Sequence, residues 1–108
     1  MNDIKKCRVQ NDIDEWGNPT GGKVEGTGLN IYWQNGPLGR VPDREDPNGA
    51  FVETVISAAL QRIQHYQASK FKCRENALAI TKLEEALMWL EKRTADREER
   101  GVEGIHEV

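Results

Sequence analysis

The run FKCRENALAITKLEEALMWLEKRTADREERG, residues 71–101, constrains this chain more than any other stretch. Ile80, Leu83, Leu87 and Leu90 recur three and four residues apart, with Ala79, Ala86 and Trp89 beside them. That period places them on one stripe of an α-helix. Nothing inside the run breaks it, so a single helix is expected from about Cys73 to Arg100, with Gly101 as the residue just past its end. At 1.5 Å per residue such a rod is about 40 Å long. A rod of that length must find apolar cover along its whole stripe.

The segment before it supplies part of that cover. In NGAFVETVISAALQRIQHY, Phe51, Val55, Ala59, Ile63 and Tyr66 repeat at helical spacing, with Val52, Ile56 and Leu60 adjacent. Asn48 is the expected N-cap and Pro47 the break before it. QASKF then makes a short connection, so the two helices form a hairpin. The first arm is about 25 Å long, against about 40 Å for the second. The distal third of the long arm is therefore left without a neighbour from its own chain. Either charge pairs solvate it or a second subunit covers it. Met88 and Trp89 near that end favour the second subunit.

The first half has a different texture. WGNPTGG, GTG, QNGPLG and PDREDPNG are turn-rich, whereas TGLNIYWQ (27–34) is short, β-branched and aromatic, which suits a strand. Asn35-Gly36 is the pair favoured by a two-residue type I′ hairpin turn. IKKCRVQ (4–10) is a weaker strand candidate. The fold class expected is α+β: a small N-terminal antiparallel β-sheet followed by a two-helix hairpin with a long C-terminal helix. At 108 residues this makes one domain, 1–47 being its β-rich part and 48–108 the helical hairpin and tail.

Composition excludes several classes of function. Hydrophobic residues are 37% and charged residues 31%, and the formal net charge is −3, so the overall field does not attract duplex DNA. No apolar run approaches the roughly 20 residues that span a bilayer, and MNDIKKCRVQ lacks the apolar core of a secretory signal. Cys7 and Cys73 are far apart, and His65 and His106 have no partner in ligand register, so a structural metal site is not expected. Two free thiols are.

Polar groups cluster at both ends of the long helix. Arg74, Glu75 and Asn76 fall in its first turn, where free N–H groups favour an anion, although plain capping accounts for them equally. At the far end Arg93 and Arg97 share a face, with Arg100 a step further round. Guanidinium forks suit phosphate oxygens, but Glu91, Asp96, Glu98 and Glu99 are near enough for ordinary helix-surface pairing. Asn76 and Arg93 are seventeen residues apart, which is about 25 Å along the axis. No nucleotide reaches both within one chain. Two long helices packed antiparallel about a two-fold axis bring Asn76 of one chain to Arg93 and Arg97 of the other. Tyr66 and Phe71 could then stack on a base while the arginines hold phosphates.

Catalysis is not indicated. GGKVEGTG lacks a phosphate-loop pattern and precedes a strand. No nucleophile, base and acid set is present, and Glu84 and Glu85 point to different faces of their helix. No cofactor is expected either.

The run CRENALAITKLEEALMWLEKRTADREERGVEGIHEV (73–108), with WQNGPLGR upstream, resembles the Thoeris anti-defence 1 family of phage proteins. The same hairpin is shared with phage anti-CBASS sponge proteins. The resemblance covers most of 27–108, while residues 1–26 are not placed by it. It implies a sponge, not an enzyme. Such a sponge sequesters, uncleaved, the 1″–2′ and 1″–3′ glyco-cyclic ADP-ribose signals made by TIR-domain enzymes in the cytoplasm of the infected bacterial host. It further implies pockets at a homodimer or higher homo-oligomer interface, with Asn76 of CREN and Arg93 and Arg97 of KRTADRE as ligand contacts. The family's aromatic site falls on Tyr66, where a phenylalanine is expected in relatives and where a hydroxyl leaves stacking intact. Some members also take up cyclic di- or trinucleotides at a separate site. The competing interpretation is a dimeric helical-hairpin scaffold for protein contacts, without a nucleotide.

Overall fold

The computed structural model describes residues 6–39 and 42–100. It holds three strands, β1 (Arg8–Ile13), β2 (Pro19–Gly26) and β3 (Leu29–Tyr32), then two helices, α1 (Val52–Gln67) and α2 (Arg74–Glu99). The strands form one antiparallel sheet in the order β1-β2-β3. The α+β class and the sheet-then-hairpin order are those expected. The chain divides into two compact units between Phe51 and Val52. The expected helix stop at Gly101, His106, and residues 4 and 5 of the first strand candidate lie outside the described residues.

In the sheet unit, β1 begins later than IKKCRVQ suggests, and β2 runs through PTGGKVEG, a stretch whose glycines read as punctuation. The glycines have a structural reason. The β1–β2 register slips between Asn11 and Ile13, so β2 carries an extra residue there. At Gly22 (φ +152°) a Cβ would fall on the Gln10 carbonyl oxygen across the ladder. Only glycine lets the two backbones approach so closely.

The hairpin turn is not at Asn35-Gly36. Gly26 pairs with Leu29, so Thr27 and Gly28 make the turn, and of the two only Gly28 (φ +71°) takes positive φ. No strand follows Asn35 among the described residues; Gly36 is left-handed (φ +76°) while Asn35 is not. Asn35 is instead held by Asn48. The Asn48 Oδ1 accepts from the Asn35 N–H at 2.7 Å, and its Nδ2 donates to the Asn35 carbonyl at 3.1 Å. Asn48 therefore does not cap α1, which starts four residues later. The Gln34 side chain returns the contact, accepting from the Asn48 N–H at 2.9 Å. Beyond it, Ala50 donates to the Tyr32 carbonyl at 2.8 Å and accepts from the Gln34 N–H at 2.9 Å, a short parallel bridge along the β3 edge. A side chain on Gly49 would sit 2.5 Å from the Trp33 carbonyl oxygen.

In the helical unit, α2 buries the expected stripe. Ile80, Leu83, Leu87 and Leu90 are half-buried, and the stripe extends to Asn76, Thr94 and Arg97. On α1 Val55, Ile56, Leu60, Ile63 and Gln67 are covered, so the expected line holds at Val55 and Ile63 but leaves Ala59 and Tyr66 exposed. Leu60 is the only hydrophobic residue among those described that is buried, at 8% exposure. A hairpin with so little enclosed apolar volume hides only part of what it carries. Val52, Leu78, Met88 and Trp89 stay largely open to solvent.

Candidate functional site

The connection between the helices is closely specified. The Gln67 side chain bridges it, accepting from the Cys73 N–H at 3.0 Å and donating to the Cys73 carbonyl at 3.1 Å. Ser69 Oγ donates to the Tyr66 carbonyl at 2.5 Å and accepts from the Phe71 N–H at 3.1 Å. Cys73 is the N-cap of α2, extended at φ −156° and ψ 166°, and its Sγ accepts from the Asn76 N–H at 3.4 Å. Thiol capping by the first residue of CREN explains why the helix starts at Arg74. Sequence reasoning misses Gln67 and Ser69. A glutamine at the end of a helical period gives no sign of reaching six residues on.

Four of the six candidate residues collect at this closed end of the hairpin. Tyr66 lies on the last turn of α1, 43% exposed, and Phe71 on the connection, 69% exposed. Arg74 opens α2 and is exposed, while Asn76 is half-buried at the start of its inner stripe. The ring of Phe71 lies 5.3 Å from the Lys70 ammonium, and that of Tyr66 lies 4.9 Å from the Arg62 guanidinium carbon. Aromatic surface, amide and cations thus converge within a few residues.

Arg93 and Arg97 are at the open end. Arg93 is exposed and pairs with Glu53 of α1 at 3.6 Å, their side chains being 60% and 38% exposed. Arg97 is half-buried on the inner stripe. The Glu53 contact fixes the hairpin's register: the start of α1 lies beside Arg93, so only about the last turn and a half of α2 overhangs. Less of the long arm is uncovered than the expected third. Beside Glu53 a shallow cleft of about 250 Å³ is lined by Leu90, Glu91, Thr94, Ala95 and Glu98. Its carboxylates repel phosphate, so it is not the continuation of an anion site. Because α2 is unbroken from Arg74 to Glu99, the separation of Asn76 from Arg93 stays at about 25 Å. The two groups of candidate residues are not brought together within one chain.

Tyr66 and Arg93 do share a side of the hairpin. At about 100° per residue, Val52, Ala59 and Tyr66 lie to one side of the inward line of α1. Leu78, Trp89 and Arg93 lie to one side of the inward line of α2. In an antiparallel pair of right-handed helices these two flanks fall on the same face. Glu91, Ala95 and Glu98 fall on the other flank of α2, where they line the cleft beside Glu53, while Glu53 itself also reaches Arg93. The side that Tyr66 and Arg93 share carries Val52, Ala59, Leu78 and Trp89 interspersed with Arg62, Glu75 and Lys82, with Tyr66 at one end and Arg93 at the other.

Among the described residues no helix is long and apolar enough to cross a membrane. The chain is 59% identical over 77 residues to Thoeris anti-defense 1 of Bacillus phage SBSphiJ7, an alignment covering 71% of this chain and 51% of the relative. The chain spans about half the length of that curated relative. The model of the Acb2/Tad1 hairpin domain matches residues 26–95, which take in β3, α1 and nearly all of α2. The chain therefore belongs to the Acb2/Tad1 hairpin-domain family.

Proposed function

We propose that this protein is a phage anti-defence sponge that binds TIR-derived glyco-cyclic ADP-ribose, the 1″–2′ or 1″–3′ isomer, and keeps it from its receptor without cleaving it. The carrying observation is the division of one recognition set between the two ends of a single hairpin. A ligand with a base and two phosphates needs an aromatic platform, an amide and cations together. Each chain presents Tyr66, Phe71, Arg74 and Asn76 at one end and Arg93 and Arg97 at the other.

A second copy completes the set. Pairing the sides that carry Tyr66 and Arg93 about a two-fold axis would cover Val52, Leu78 and Trp89 and place the arginine end of one protomer over the Tyr66 end of its partner. Two equivalent pockets result, as an isologous interface requires. The Glu53–Arg93 pair is no obstacle. It is largely solvated, and exposed pairs of this kind are worth at most about 1 kcal/mol. Charge-assisted bonds from two arginines to phosphate exceed that. The family supports the ligand class, and the site of action would be the infected host's cytoplasm.

The test is direct. Purified protein is incubated with lysate of cells expressing an active TIR synthase, desalted, heat-denatured, and its supernatant analysed by mass spectrometry. Release of intact glyco-cyclic ADP-ribose in near-stoichiometric amount is expected. A linear or otherwise altered product would indicate an enzyme. A ligand-free but dimeric protein would indicate a scaffold.

A further inference from the structure

Tyr66 is restrained at both its backbone and its ring, which is unusual for an exposed side chain. Its carbonyl accepts from Ser69 Oγ at 2.5 Å and from the Ser69 N–H at 3.0 Å. Its hydroxyl oxygen accepts from Arg62 Nε at 3.0 Å, and the same guanidinium carbon lies 4.9 Å from the ring centroid. Arg62 is not explained as a helix-surface ion pair. The residues three and four away on either side are Ala58, Ala59, His65 and Tyr66, none of them a carboxylate.

We propose that Arg62 is a positioning residue of the ligand site: it fixes the Tyr66 ring before ligand arrives and orients the Tyr66 hydroxyl as a donor. The chemistry is simple. With a lone pair of the hydroxyl oxygen taken by Arg62 Nε–H, its O–H is left to donate away from the guanidinium, toward an acceptor on the ligand. The charge over the phenol also anchors the ring, leaving its remaining surface for a base. Immobilising a free side chain on binding costs affinity, and a ring held in advance avoids that cost. The ligand class rests on the sponge proposal above; the anchoring of the ring does not.

Two measurements test it. In calorimetric titrations with 1″–3′ glyco-cyclic ADP-ribose, Arg62→Ala should weaken binding by about two- to tenfold. Tyr66→Phe should weaken it comparably, and the double variant little more than either alone. An Arg62→Ala loss of equal size when combined with Tyr66→Phe, or no loss at all, overturns the positioning role. In ligand-free protein labelled at tyrosine ring carbons, Arg62→Ala should shift and sharpen the Tyr66 signals and leave Tyr32 unchanged. Unaltered Tyr66 signals overturn the anchoring whatever the ligand. If the wild-type protein itself takes up no nucleotide while the ring signals move as expected, the sponge proposal fails and the anchoring stands.

Discussion

If each pocket is shared between protomers, two inactive variants should restore each other. Let one carry Tyr66→Ala with Asn76→Ala, and the other Arg93→Ala with Arg97→Ala. Each homodimer loses one half of every pocket. The arginine loss can be sized from the structure. Charge-assisted hydrogen bonds are worth about 1.5–3 kcal/mol each, so two arginines supply roughly 3–6 kcal/mol. The Arg93–Glu53 pair that phosphate must displace returns at most about 1 kcal/mol, because its groups are 60% and 38% exposed. Arg97 also has a contact of its own to give up; with the same discount for each arginine the net is about 1–4 kcal/mol, or roughly five- to nine-hundred-fold in affinity. Removing both arginines should therefore weaken binding clearly in a titration. In the mixed dimer one pocket joins the intact Tyr66–Asn76 end to the intact arginine end, and the other carries both defects. After subunit exchange, confirmed by native mass spectrometry, titration should recover up to one site per heterodimer. A pocket built within one chain gives no recovery, since every chain stays defective. The axial separation of about 25 Å in an unbroken α2 already opposes that geometry. No rescue after confirmed exchange would refute the shared pocket.

Further outcomes are expected. Light scattering at micromolar concentration should give a dimer or a multiple of it, and Trp89→Glu, which puts a charge in place of an exposed indole, should shift the protein toward monomer. Glu53→Gln, which releases Arg93, should tighten ligand binding by up to about fivefold, an effect shrinking as salt rises; weaker binding would show that Glu53 orients Arg93 productively. Gln67→Ala removes both bonds bridging the hairpin connection and should cost about 1–2 kcal/mol in thermal or denaturant unfolding. Gly22→Ala should destabilise the sheet unit by about 1–3 kcal/mol, read as faster amide exchange in β1 and β2 with α1 and α2 unaffected.

Legibility in the sequence follows the range of the forces involved. The inner stripe of α2 is readable because a helix is periodic, and Ile80, Leu83, Leu87 and Leu90 obey its period without help from elsewhere. On α1 the period is equally clear, but its phase is not. Two apolar lines, Phe51–Val55–Ala59–Ile63–Tyr66 and Val52–Ile56–Leu60, compete there, and the packing against α2 covers members of both, Val55 and Ile63 of the first and Ile56 and Leu60 of the second. In the sheet unit, β2 is hidden because its glycines serve a tertiary need: the Gln10 backbone approaches Gly22 too closely for any side chain. Asn35 and Asn48 mislead for a related reason. Each has a strong local preference, as turn residue and as cap, and each gives it up for the other across thirteen residues.

The same distinction bears on the site. Asn76, Arg93 and Arg97 are legible as residue types at two ends of a rod, and their separation follows from helical rise alone. The residues that act on them are not: Glu53 on Arg93, Cys73 on the Asn76 N–H, Arg62 on Tyr66. The first is a tertiary contact and the second depends on where a cap falls. Arg62 is within reach of sequence, since it stands one turn from Tyr66. What makes it informative is the lack of a carboxylate at the spacing where helix-surface arginines usually find one. At Arg62 the Tyr66 ring and hydroxyl take the place of that carboxylate, and the pairing is local enough for the helical period to show it.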